Sequence, residues 1–226
     1  MYKIGKYRST DSMSALICDN YALLQVLGRF NIPLGVEDKS IGEVCAESNV
    51  DTATFLAVIN LMLNKKNANY KVCLDGVMID YLMLYIRNSH RYYLEMRLPK
   101  IRTKLIAALA DDKLTELLVK YFDDYVIQIK EHLKYEENEV FPYIDRIQSN
   151  LDRGDYSIDL YTQQHDHIDE PLTEFKNVLI KYYKGDSTYE IMGVIHDLLS
   201  CADDLNIHNL VEDKLLVPLI QKIEEE

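Results

Sequence analysis

The segment His132-Leu133-Lys134-Tyr135-Glu136 returns 76 residues later as His208-Asn209-Leu210-Val211-Glu212, and each copy is followed at the same distance by a proline, Pro142 or Pro218. Two further histidines, His90 and His165, stand 42 and 43 residues ahead of the copies. The unit "His, about 42 residues, His-x3-Glu-x5-Pro" therefore occurs twice, offset by 75–76 residues. Periodicity of this length marks a repeated supersecondary unit. In an α-helix four residues turn through about 400°, so the His and Glu of each copy lie about 40° apart and about 6 Å along the axis. That geometry suits a shared metal ion. A single copy would carry little weight, because long charged helices produce the spacing by chance.

The apolar residues around these motifs follow helical spacing. Leu118, Phe122, Tyr125, Ile129, His132 and Glu136 are spaced 4-3-4-3-4, and Val194, Leu198, Cys201, Leu205, His208, Glu212 and Leu215 are spaced 4-3-4-3-4-3. Two other runs behave alike: Ile79, Met83, Ile86, His90, Tyr93, and Ile158, Tyr161, His165, Ile168, Leu172, Phe175, Leu179. Four such seams, joined by polar breaks at Asp111-Asp112, Asn150–Asp155 and Lys184–Ser187, predict an all-α, up-and-down four-helix bundle. Pro99 and Pro171 fall inside helical stretches and should kink or shorten them.

Ahead of the bundle, Thr10-Asp11 is expected to cap one helix running to about Gly28, with a break at Asn31-Ile32-Pro33-Leu34-Gly35. Two short helices follow, from Ser40 to about Glu47 and from Asp51 to about Leu63. The turn between them invites a helix-turn-helix reading. However, Thr52 to Leu63 contains no Lys or Arg, which a helix reading phosphates and base edges needs. The predicted organisation is a small helical domain over residues 1–64, a polar linker over 65–74 and the bundle over 75–226.

Charge supports the same exclusion. With 37 acidic against 25 basic residues the chain carries a net −12, which repels nucleic acid and anionic lipid. No run of about 20 apolar residues predicts a membrane span, and the first eight residues lack the apolar core of a secretory signal. Cys18, Cys45, Cys73 and Cys201 are scattered without a CxxC, as expected of reduced, buried thiols in a cytoplasm.

The seams place four imidazoles and two carboxylates in the bundle core. Buried carboxylates need cations or strong donors, and no Lys or Arg occupies the matching levels except Arg97, two turns from His90. All-N/O ligands are unlike structural zinc thiolate sites, and six ligands exceed the four that one zinc takes. Two octahedral ions bridged by Glu136 and Glu212, each taking two of His90, His132, His165 and His208, fit the count. Iron is the habit of such bundles, while manganese or a mixed pair fits the same spacing. His167 lies about 200° around the helix from His165 and His196 about 120° from His208, so both should face elsewhere. Asp169 imitates the motif four residues after His165, but its counterpart after His90 is Leu94, so it belongs outside the ligand set. Without metal, the two neighbouring glutamates should repel and their pKa values should rise.

At these residues the chain resembles the hemerythrin-like cation-binding family, and within it the repair-of-iron-centres branch that mends iron-sulfur clusters. The resemblance rests on His90-Arg91 with Leu98-Pro99, His132-x3-Glu136 with Phe141-Pro142, His165-Asp166, and His208-x3-Glu212 with Val217-Pro218, over roughly residues 75–222. Arg29–Gly35 and Ser40–Cys45 resemble that branch's small N-terminal domain. The resemblance implies a non-haem di-iron centre, carboxylate-bridged and oxo- or hydroxo-bridged when oxidised, on His90, His132, Glu136, His165, His208 and Glu212. It implies a part in the response to nitrosative or oxidative stress, with nitric oxide or dioxygen as ligand and damaged iron-sulfur proteins as partners. A dimer is compatible with it. The alternative is a diatomic-gas sensor or carrier that signals through residues 1–64. The chain departs from the branch in one respect: the vicinal Cys-Cys-Gly-Gly usual after the first helix is replaced by Ile32-Pro33-Leu34-Gly35. Any thiol step would then fall to Cys18 or Cys45.

The bridging assignment predicts that Glu136→Ala and Glu212→Ala each lose at least one metal ion per chain by elemental analysis. His167→Ala and His196→Ala should retain wild-type content. Full occupancy in both glutamate variants would overturn the bridges.

Overall fold

A computed structural model describes residues 7–67, 70–109, 113–149, 151, 154, 156–164, 170–183 and 188–225. Every regular element among them is helical: α1 (Met13–Asp19), α2 (Leu23–Arg29), α3 (Ile41–Glu47), α4 (Thr52–Asn64), α5 (Ile79–Arg91), α6 (Leu98–Ala108), α7 (Lys113–Tyr135), α8 (Phe141–Gln148), α9 (Ile158–Gln164), α10 (Glu170–Tyr182), α11 (Thr188–Val211) and α12 (Val217–Glu225). The expected all-α class is what forms. None of these helices is long and apolar enough to cross a membrane. The expected loops at 111–112, 150, 152–153, 155 and 184–187 lie outside the described residues.

The chain forms two compact units, Met1–Ser89 with Leu210–Glu226, and His90–Asn209. In the first, local side-chain chemistry sets the helix ends. Ser12, not Thr10 or Asp11, caps α1 by accepting from the Ala15 amide. The single helix expected to Gly28 is broken, because Asn20 adopts an extended conformation and its Oδ1 accepts from the Ala22 amide at 3.1 Å. Asparagine competes for backbone donors in this way and ends the helix. The Ser40–Glu43 capping box opens α3. Asp51 opens α4, its Oδ1 accepting from both the amide and the hydroxyl of Thr54. Positive φ at Asn31 and Gly35 turns the chain where the break was expected. The α4 residues Phe55, Val58, Ile59 and Asn60 are buried, so this helix is a core element and not an exposed reading face. Beside it Phe30 packs its ring on Phe55 and Tyr85.

In the second unit one core gathers Tyr93, Leu98 and Ile101 with Phe122, Tyr125 and Ile129 of α7, Leu172 and Phe175 of α10, and Leu198, Cys201 and Leu205 of α11. All but Leu98 and Ile101 belong to the four predicted seams; those two continue the first run beyond Tyr93. Large apolar side chains of this kind each contribute about 1.5–3 kcal/mol when fully buried, so the core draws its cohesion from all four helical runs.

Among the described residues, three π-helical turns interrupt the helices, at Tyr92–Arg97, Glu136–Val140 and Glu212–Leu216. Each is followed by a helix whose second residue is proline: Pro99, Pro142 or Pro218. A proline has no N–H and its ring crowds the carbonyl four residues earlier. The hydrogen bonds therefore step back five residues: Leu98 N–H to Tyr93, Phe141 N–H to Glu136 and Val217 N–H to Glu212. The expected effect of Pro99 is thus a widened turn through which the helix continues. Pro171 is the second residue of α10.

Arg97 and Lys104 are joined to α11 by Asp197. The Arg97 guanidinium donates to the Asp197 carboxylate at 3.2 Å and to its backbone carbonyl at 2.9 Å, while Lys104 Nζ reaches the other carboxylate oxygen. Burial alone would raise the Asp197 carboxyl, but the Lys104 hydrogen bond and the Arg97 charge hold it below the ordinary aspartate value. A depressed folded value means stability that is present above the unfolded pKa of about 3.9 and lost as pH falls through the folded one. Asp197→Asn should lower stability in urea by about 1 kcal/mol at pH 7. The deficit should shrink below about pH 4, and an undiminished deficit there would exclude the ion pairs as its source.

Candidate metal centre

Glu136 sits where α7 passes into the second π-helical turn, and it has no solvent exposure. Three side chains meet its carboxylate. His132, one turn back on α7, places Nε2 3.0 Å from Oε1. Tyr161 of α9 donates its hydroxyl hydrogen to the same oxygen at 2.8 Å. His90, at the end of α5, brings Nε2 to 3.2 Å from Oε2. The other nitrogen of His90, Nδ1, lies 2.9 Å from Oε1 of Glu137. The imidazole thus spans two successive carboxylates, one buried and one partly in solvent.

The His90 ring is positioned from both sides. It stacks on Phe141 with centroids 5.4 Å apart and meets the His208 ring edge-on at 5.1 Å. Tyr93 in turn packs edge-on against His208 at 5.7 Å. His90, Glu136 and His208 each offer a ligand atom, and these atoms lie within 4.8 Å of one another. His208 and Glu212 are i and i+4 on one continuous helical run, and both are buried.

The sequence-derived ligands therefore stand as follows. His90, His132, Glu136 and His208 come together in the second compact unit, and Glu212 lies buried one turn beyond His208. His165 is outside the described residues, as are His167 and Asp169. His196 is exposed on α11, as its angular offset requires. Arg97 is paired with Asp197 of α11.

Electrostatics correct one expectation. Burial alone would push the Glu136 carboxyl up, but the His132 and His90 imidazoles outweigh it and hold the group well below the ordinary glutamate range. The rise expected from repulsion between carboxylates is absent at Glu136 because its own histidines compensate the charge. The cysteines need a second correction: Cys45 and Cys201 are buried as expected, but Cys18 and Cys73 are exposed. None of the four is in a disulfide.

The donor set fits a hard or borderline cation. It comprises imidazole nitrogens and carboxylate oxygens with no thiolate, enclosed by aromatic rings. Sequence reasoning missed two contributors. Tyr161 was legible as an apolar seam residue four positions before His165, but its hydroxyl needed a partner from another helix to acquire a role. Glu137 carried no signal beyond its place after Glu136.

A family model described as Hemerythrin HHE cation binding domain matches residues 85–220, more than half of the chain. None of the curated proteins compared with the chain matches it.

Tyr161→Phe keeps the ring and removes only the hydroxyl. It should lower the stability of the metal-free protein by about 1.5–3 kcal/mol in urea denaturation, the value of a hydrogen bond to a charged acceptor. An unchanged midpoint would mean that the hydroxyl contributes nothing to holding Glu136.

Proposed function

The chain belongs to the hemerythrin HHE cation-binding family, and on that premise we propose that it is a non-haem di-iron protein acting in the response to nitrosative or oxidative stress. The observation that carries this reading is the buried His90–Glu136–His208 cluster, whose ligand atoms already converge. The proposed ligand set is His90, His132, Glu136, His165, His208 and Glu212, with the two glutamates as bridges. Manganese fits the same donors. Two bound iron ions supply a reducible centre open to a small diatomic ligand, nitric oxide or dioxygen.

The residues of this chain define what that centre can do. Four imidazoles against two carboxylates keep the ligand charge low, which favours the reduced pair of ions over high-valent states. The His132 and His90 imidazoles lie against Glu136, and protons compete with metal for their nitrogen lone pairs, so metal uptake should weaken in acid. Tyr161 restrains one oxygen of Glu136, and Phe141 and Tyr93 exclude water from the flanks.

One observation favours the sensor or carrier reading over cluster repair. The loop after the first helices has no cysteine, and Cys45 is buried with its thiol pushed up to about 11 by desolvation, which makes it a poor thiolate. Any thiol step in residues 1–64 then rests on Cys18, which is exposed on α1. The repair reading keeps the resemblance of residues 29–45 in its favour.

Elemental analysis and visible spectra, before and after reduction without oxygen, test the centre: about two iron ions per chain are expected. Multiple turnovers of nitric oxide would support a stress enzyme, whereas stoichiometric reversible binding would support the sensor. Cys18→Ser and Cys45→Ser should retain wild-type behaviour in either assay. Loss of activity with iron still bound would restore a thiol to the mechanism.

A further inference from the structure

We propose that Glu137 is a positioning residue for the metal centre: its carboxylate accepts from His90 Nδ1 and thereby fixes the imidazole with Nε2 as the ligating nitrogen. The proposal rests on the metal-binding reading given above. An imidazole can ligate through either nitrogen, and the choice is set by the hydrogen bond that the other one makes. Here the two nitrogens face different carboxylates. Nδ1 lies 2.9 Å from Glu137 Oε1, and Nε2 points to Glu136 Oε2 at 3.2 Å, toward the cluster with His208.

The arrangement follows from local geometry. Glu136 turns inward with no exposure while its neighbour in the π-helical turn, Glu137, turns outward, where its side chain is 39% exposed. An exposed carboxylate keeps its charge cheaply, yet it can still reach the buried ring because His90 lies at the edge of the core. The Phe141 ring, stacked on His90 with an interplanar angle of 18°, restricts the plane in which the ring can turn. Stacking alone leaves the ring free to exchange its two nitrogens by a flip; the Glu137 contact distinguishes them. The second His-x3-Glu copy is also followed by a carboxylate, Asp213, so this feature belongs to the repeat.

The test uses full-length, metal-free protein titrated with Co2+ in the absence of oxygen. Glu137→Ala should weaken Co2+ binding about 10–100-fold. Glu137→Gln, whose amide oxygen still accepts from Nδ1–H, should retain most of the affinity. Glu137→Met matches glutamine in length without an oxygen acceptor and should behave as alanine does; it carries the comparison if the alanine variant folds poorly. In proton NMR of the Co2+-loaded protein, one hyperfine-shifted exchangeable imidazole N–H resonance should persist in wild type and Glu137→Gln. It should be lost to solvent exchange in Glu137→Ala and Glu137→Met. A merely structural role would not move that signal. Wild-type affinity in both the alanine and methionine variants, with the resonance intact, would overturn the positioning role alone. Failure of wild type to take up Co2+ would instead overturn the metal reading on which it rests.

Discussion

A carboxylate with no access to water governs the centre of this protein. Leaving an ionised glutamate uncompensated in a low-dielectric interior costs several kcal/mol, which is a large part of the stability of an ordinary domain. Glu136 is instead met by His132, His90 and Tyr161, drawn from α7, α5 and α9. These contacts require the helices that carry them to hold their positions. The apolar seams of α7 and α11 bring cohesion but little direction, because dispersion contacts tolerate small slides. The polar cluster fixes the register that the seams leave loose.

The π-helical turns join this requirement to the backbone. A proline six residues after each glutamate widens the turn that the glutamate opens, and a third proline does the same after His90. A regular α-helix would continue its 100° step through these positions, whereas a π turn spends an extra residue and shifts the face of everything that follows. In the second unit the side chains beyond Glu136 can thereby return to the core, as Val140, Phe141, Ile144 and Ile147 do. The wide turn and the proline are one device, repeated with the motif it follows.

Charge outside the centre is organised separately. Arg97 looks, on the helix wheel, like a counter-ion for the buried acids, but it pairs with Asp197, which Lys104 shares. Keeping that cation away from Glu136 matters chemically. A guanidinium on the carboxylate would occupy the lone pairs that a metal ion needs, while an imidazole can release its proton and become a ligand itself. The histidines thus hold Glu136 through groups that can themselves ligate a metal ion.

The sequence alone determined the all-α class, the composition of the seams and the spacing of the His-x3-Glu pairs. These follow from the 3.6-residue helical period, which any chain must obey locally, and from the cost of exposing Phe122, Ile129, Leu198 or Leu205. Local chemistry also marked the caps at Ser40 and Asp51. It misplaced the start of α1 and missed the break at Asn20, because Ser, Thr, Asp and Asn offer several competing side-chain-to-backbone bonds whose winner depends on the neighbouring fold. Only the tertiary structure decided that Tyr161 donates to Glu136, that His90 reaches Glu137, that Arg97 belongs to Asp197 and that Glu136 stays ionised. Each of those depends on the approach of two segments distant along the chain, and no periodicity within one helix encodes where its neighbour's polar atoms will lie.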